Sequence, residues 1–513
     1  MRTKTHPGRT ATLTLLSSLL LAIVLILFTA QSAHIYSAPQ GAVYYVATNG
    51  SDGGDGSLAN PWATITHALD NVPAGSEILV RPGVYDGRVR LRGAFSPGVT
   101  VRSEVPYLAV LQNDDRVITA YSTPGGVSGI TLEGFEIRHS GPGAAPLVVH
   151  VDGGGDGSVS NIILRNNVMH DSYNNDILKI NNAAHDVLVA GNLFYNQTGS
   201  DEHIDINSVE NVVVQDNVFF NDFAGSGRSN DNDTSSYIVI KDSNAADDVY
   251  VGSSNITVRR NVFLNWEGST GANFVLIGED AQTFVEGRQI LVENNLMLGN
   301  AANVMRAPIG VKSGEDVTFR HNTIAGDLPS LAYAMRLNVE NPAVTNENIN
   351  FYNNVWSDPT GTMGAEDPSR PNDFSDTPPG ETGAFMLVNN LYWNGGEPIP
   401  EDSGELVNFT DDPLRLIANP HLPGQSGIQL PRWNPAGQQF ADGSSTIRQA
   451  FERLVSLYGT AAPSSPLLDA ARPDQSPAED ILGNVRAAPD LGAVEHTPFT
   501  GSDELYLPLF ARR

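Results

Sequence analysis

The sequence predicts an all-β fold, a single-stranded right-handed parallel β-helix with an N-terminal helix cap and a divergent C-terminal segment. Three observations predict it. A strand–turn–strand pattern with asparagine at the turn recurs along the chain. The intervals between copies vary while the pattern itself does not. And 513 residues exceed what one compact core organises, about 250–300 residues, a limit a solenoid escapes because each repeat packs only on its neighbours.

Each copy has alternating apolar residues, a polar pair ending in Asn, then two or three apolar or aromatic residues. Ile162, Leu164, Asn166, Asn167, Val168 and Met169 form one such copy, and Val187, Val189, Gly191, Asn192, Leu193 and Phe194 the next. The pattern continues at Asn217, Asn261, Asn295, Asn322, Asn354 and Asn390, and an earlier copy carries Gly134 in the Asn place. From Asn167 onward the intervals are 25, 25, 44, 34, 27, 32 and 36 residues. Alternation implies strands with one buried face. Asn or Gly between strands implies a sharp bend through left-handed backbone, which these residues adopt at least cost. Stacked asparagines at one turn can hydrogen-bond along a column. Variable spacing then means loops of different length leaving a constant cross-section, about ten coils by count of copies.

The ends follow other rules. Tyr44, Tyr45 and Val46 open the fold, a Gly- and Asp-rich turn follows, and residues 62–72 read as an amphipathic helix that would plug the open end of the stack. Residues 42–400 are assigned to the β-helix, 401–500 to its C-terminal extension and 501–513 to a tail. Residues 368–382 read as a long surface loop and 445–458 as a second amphipathic helix stopped by Gly459.

Residues 1–38 carry a basic start (Arg2, Lys4, Arg9), an uninterrupted apolar core from Leu19 to Phe28 and small residues at Ala30, Ser32 and Ala33. This is the pattern of a signal peptide, with an uncleaved membrane anchor as the rival reading. It predicts a secreted or cell-surface monomer that meets membrane only through this segment, and the absence of cysteine suits a bacterial exterior. The net charge of −28 disfavours nucleic acid as a partner and favours divalent cations.

Residues 44–85, with the Tyr44-Tyr45-Val46 start, the Gly/Asp-rich turn, Thr64-Ile65, Ala68-Leu69 and Pro82-Gly83-Val84-Tyr85, resemble the N-terminal cap of bacterial β-helix proteins of the pectate lyase-like (pectin lyase fold) superfamily. The segment from Ser465 through Asp480, Gly483 and Arg486 to Pro489-Asp490-Leu491-Gly492-Ala493 is similar to their C-terminal portion. The resemblance spans nearly all the chain after residue 40. It implies the fold and a carbohydrate partner. It does not select an activity, because the superfamily holds lyases, hydrolases, epimerases, phage tailspikes and non-catalytic surface proteins.

Lysine narrows the search for chemistry. Beyond Lys4 there are three, Lys179, Lys241 and Lys312. Aligning coils on Ile180, Ile206 and Ile240 puts His150, Lys179 and Asp205 in one outward column and Asp152, Asn181, Asn207 and Lys241 in the next, a rung or two apart, about 5–10 Å. Asp201, Glu202 and His203 lie on the coil between the two lysines, and the long insertion at residues 221–236, with Arg228, rises beside it.

Such groups suit a lyase for an acidic, uronate-containing polysaccharide. Asp176, Asp201, Glu202 and Asp205 would hold Ca²⁺, which neutralises the substrate carboxylate and acidifies the neighbouring C5 proton. Lys179 or Lys241 would take that proton, and Arg228 would bind a substrate carboxylate. His150, His203, Asn181 and Asn207 would contact sugar. The hydrolase signature of neighbouring Asp pairs with a Gly-His-Gly is absent, which disfavours inverting galacturonan hydrolysis. The alternative is a non-catalytic surface or glycan-binding β-helix protein, in which the Lys–Asp–Lys ladder is ordinary cross-strand pairing. Trp266, Trp356, Trp393 and Trp433 are expected to pack under loops rather than stack on sugar rings.

Overall fold

A computed structural model describes residues 41–244, 248–299, 303–326, 332–340, 344–364 and 373–496. The signal-peptide or anchor segment, the tail at 501–513 and the first part of the expected loop, 368–372, lie outside the described residues.

The chain winds through three long parallel sheets of 12, 10 and 12 strands, each turn of the chain adding one strand to each sheet. The first sheet contains the alternating strand before each Asn turn, such as Val159–Arg165 and His185–Ala190. The third contains the short strand after it, such as Val168–His170 and Leu193–Tyr195. The second contains Val149–Asp152, Leu178–Asn181, Glu202–Asn207 and Ser236–Lys241. The fold is a right-handed parallel β-helix.

The Asn column is continuous. The Nδ2 of Asn167 donates to Oδ1 of Asn192 (3.2 Å), and the same bond repeats from Asn192 to Asn217 (3.1 Å), Asn261 (3.0 Å), Asn295 (3.0 Å), Asn322 (2.9 Å), Asn354 (2.9 Å) and Asn390 (3.0 Å). Asp412 ends it, accepting from Asn390 at 2.9 Å. The left-handed residue of each turn is the one before the ladder Asn: Asn166, Gly191, Asp216, Arg260, Asn294, His321, Asn353 and Asn389 all have φ between 52° and 68°. This corrects the alignment of the earliest copy. Gly134 (φ 77°) matches Asn166, and Phe135 occupies the ladder place, its N–H donating to Asn167 Oδ1. The pair therefore divides the work between a backbone bend and a buried side chain that leaves no amide unpaired.

Helix α1 (Ile65–Asn71) is capped by the Thr64 hydroxyl, which accepts from His67 N–H, and its Ile65, Ala68 and Leu69 join the core with Val46, Ile78 and Val80. Helix α2 (Ile447–Leu454) falls within the expected range and is followed by a wider turn to Gly459.

The segment after Asp412 differs from expectation. It does not add full coils. It doubles back over the outer face of the third sheet, where Trp433, Ile447, Phe451 and Leu454 pack on Val168, Leu193, Val218, Phe220 and Val262. The Trp433 indole donates to Glu136 Oε2 (3.0 Å), Arg432 pairs with Asp222 (3.0 Å) and Asn353 Nδ2 donates to the Arg472 carbonyl. The cause is visible in the strands themselves. In Val218–Phe220 every residue is apolar, so both faces of that sheet need cover. Trp266 and Trp356 are likewise fully buried.

Candidate functional site

The second sheet keeps a polar outer face, and its register is the one the isoleucines imply. His150 pairs with Lys179, Lys179 with Asp205, Asp152 with Asn181, Asn181 with Asn207, and Asn207 with Lys241. Each strand enters this sheet through a bend at which two successive residues face inward, Ile177 and Leu178 on one coil, His203 and Ile204 on the next. The residue before the bend is thereby turned outward. On these two coils it is Asp176 and Glu202.

Asp176, Glu202 and Asp205 converge. One carboxylate oxygen of each lies within 4.8 Å of the others, and all three residues are buried. The Glu202 N–H donates to Asp176 Oδ1 (3.1 Å). Three oxygens, Asp176 Oδ2, Glu202 Oε2 and Asp205 Oδ1, are enclosed without a hydrogen-bond partner. Lys179 donates to Asp205 Oδ2 and stands 3.8 Å from Asp176. Lys241 stands 4.0 Å from the same Asp205 oxygen, donates to Glu279 (2.6 Å) and lies 3.7 Å from Asp280.

The electrostatics follow from crowding. Burial, then the Asp205 charge, pushes the Asp176 carboxyl up to about 7. Burial and Asp176 raise Glu202 well above the usual carboxylate range. Burial lifts Asp201, at the rim, to about 6 against the pull of Lys179. Burial opposes the charge of both lysines, yet the carboxylates outweigh it and hold them above their ordinary range, Asp205 and Asp176 for Lys179, Asp205 and Glu279 for Lys241. Orphaned, partly protonated carboxylates at this spacing fit a hard divalent cation, which takes oxygen ligands and displaces their protons.

Not every expected residue takes part. His203 faces the interior, stacks on Tyr237 at 4.3 Å and bonds Asn221 Oδ1 (2.9 Å). Burial drives its pKa down to about 3, so it is a neutral core residue and cannot touch a polymer. The alternation from Asp205 points it outward; the bend reverses it. Arg228 is a rivet. Its guanidinium binds Asp171 (2.8 Å), the carbonyls of Asn196 (2.8 Å) and Ser172 (2.9 Å), and Thr198 (3.1 Å), and lies over the Tyr173 ring. Asn207 is covered by the loop at Ser243, with which its amide exchanges two hydrogen bonds. Asn181 accepts from His150 Nε2 (2.9 Å), whose Nδ1 meets the Tyr121 hydroxyl (2.9 Å). Burial lowers His150, so this relay is neutral.

Sequence reasoning missed Glu279 and Asp280. They follow the strand Asn273–Ile277, whose Ile277 pairs with Ile240. The next coil's isoleucine would have found them. Glu286 pins their turn by accepting the N–H groups of Glu279 (3.0 Å) and Asp280 (3.2 Å).

No family model matches the chain. An uncharacterised protein of Bacillus subtilis (strain 168), YwoF, is 25% identical over 138 residues, which is 25% of this chain and 28% of that protein; the match thus spans under a third of either length. Among solved structures, the pectate lyase Pel9A superposes with a TM-score of 0.51 at 14% identity, covering 89% of this chain and 96% of that one. The family 28 exopolygalacturonase of Yersinia enterocolitica gives 0.45 at 14% identity over 69% and 72%. The likeness to Pel9A shows the fold alone, a right-handed parallel β-helix. The chain has that fold.

Proposed function

We propose that this is an exported, carbohydrate-active lyase that cleaves a uronate-containing polysaccharide by β-elimination with the help of Ca²⁺. The observation that carries the reading is the set of three buried carboxylates with orphaned oxygens, flanked on an open sheet face by two partly exposed lysines, 22% and 12% accessible.

Asp176, Glu202 and Asp205, with Asp201 at the rim, would hold the ion. When bound, it supplies the charge that draws a substrate carboxylate and acidifies the C5 proton. The chain's own residues do the rest. A neutral lysine takes the C5 proton as the C4–O bond breaks, which leaves a C4=C5 double bond on one fragment and a departing oxygen that takes a proton from solvent on the other. Asp205 now holds both lysines charged. Once its carboxylate is engaged as a ligand that hold weakens, and the lysine pKa falls toward the working range of a base. Among the described residues the ion pairs of Lys179 are with Asp205 and Asp176, both ligands, while Lys241 keeps Glu279 and Asp280.

The test is incubation with pectate, alginate and glycosaminoglycans in Ca²⁺, following the ultraviolet absorbance of the unsaturated product. A rise on one uronan, lost in chelator, is expected. No rise on any sinks the reading. Retention of a glycan without product favours the non-catalytic alternative, for which the Lys–Asp pairs are cross-strand supports.

A further inference from the structure

The triad belongs to a file of residues that continues toward the N-terminal coils. Ile118 pairs with Val149 and Val149 with Leu178. Counting back two places from each strand puts Arg116, Leu147 and Asp176 in one line parallel to the helix axis, so Arg116 stands two coils before Asp176, about 10 Å along the axis. One coil further, Val89 pairs with Ile118, and Arg88 precedes Val89.

Arg88 and Arg116 share one carboxylate. Arg88 donates to Asp115, and Arg116 stands 3.6 Å from its other oxygen. Among the described residues, Asp115 is the carboxylate within ion-pair distance of either guanidinium. Both side chains are partly open, 24% and 31% accessible, and the Nε atoms of both have no hydrogen-bond partner. In a chain of net charge −28, two partly open guanidiniums on the face that carries the candidate site suit an anionic occupant. Between the two lies the neutral His150–Tyr121 relay, of a kind that hydrogen-bonds hydroxyls rather than charges.

We propose that Arg88 and Arg116 form a subsite for a second carboxylate of the same polymer, roughly two coils from the one bound near Lys179. The polymer then lies along the helix axis. The substrate class narrows to uronans with successive charged units, longer than a disaccharide. This inference rests on the uronan reading of the triad.

Affinity electrophoresis through gels containing pectate or alginate, in chelator, reads binding without turnover. Wild-type protein is expected to be retarded, and Arg116→Ala or Arg88→Ala to bind about 10-fold more weakly, the loss of one hydrogen bond to a charged group. Asp115→Asn, which removes the shared carboxylate and no guanidinium, is expected to bind more tightly, and this opposite change separates the subsite from a folding defect. In kinetics on long uronan the Arg variants are expected to raise KM and spare kcat, with no effect on methyl-esterified polymer. Retardation with no lyase activity leaves the subsite standing and removes the lyase reading. Lyase activity with KM and retardation unchanged in both Arg variants overturns the subsite, as does a wild-type protein that no uronan retards.

Discussion

Lys241 Nζ lies 4.0 Å from Asp205 Oδ2, the same oxygen that Lys179 engages from the preceding coil. One carboxylate thus bridges the two cations that flank the site. Removing that bridge changes four groups at once, both lysines and, because Asp205 also faces them, Asp176 and Glu202.

Loss of the base should be visible as loss of rate. Lys179→Ala and Lys241→Ala are each expected to fold, since both side chains reach solvent. Replacing the proton acceptor lowers kcat by about 10²–10⁴-fold, while replacing the other lysine acts mainly on KM. Steady-state kinetics on the active uronan separates them. Unchanged kinetics in both variants removes lysine from the mechanism.

Cation affinity should rise with pH. The Asp176 carboxyl, raised to about 7, and Asp201, raised to about 6, must lose their protons to bind an ion. Calorimetric titration with Ca²⁺ is expected to show tighter binding and less proton release as pH climbs through that window, and no binding by Asp205→Asn. A pH-independent affinity contradicts the assignment of the triad as ligands.

Stability without metal should run the other way. Above its ordinary value of 3.8 the unfolded chain gives up the Asp176 proton, whereas the folded chain keeps it up to about 7. The folded state binds more protons across that interval, so its stability falls as pH rises through it. In chelator, Tm is expected to be lower at about pH 8 than at about pH 5, and Ca²⁺ is expected to recover most of the difference at the higher pH. Thermal melts at the four conditions check it.

Arg228 should matter for folding and little for chemistry. Arg228→Met leaves Asp171 with His170 and the Asn196 amide but no guanidinium, and takes a donor from the carbonyls of Asn196 and Ser172. A loss of about 3–5 kcal/mol is expected, read by denaturant melts, with kcat of the folded fraction within about threefold of wild type.

The ladder offers a control far from the site. Asn261→Ala removes the acceptor of Asn217 N–H and Nδ2 and the donor to Val214 O and Asn295. Two buried backbone groups, Asn217 N–H and Val214 C=O, lose this partner, at about 1–3 kcal/mol each. A large fall in Tm is expected, with Ca²⁺ affinity of the folded protein unchanged.

The sequence by itself determined the cross-section of the coil, the Asn column and the register that sets Lys179, Asp205 and Lys241 side by side. These follow from period-two alternation and a repeated turn, which are local and survive any loop length. It did not determine that His203 turns inward while Glu202 turns outward, because a bend with two successive inward residues breaks the alternation it interrupts. Nor did it determine that Arg228 is spent on turns at Asp171 and Asn196, that Glu279 reaches Lys241, or that the chain beyond Asp412 returns to cover the third sheet and leaves the second one open. Those are decided by where long connections land and which apolar faces they must bury, and only the packed tertiary structure brings such distant segments to one place.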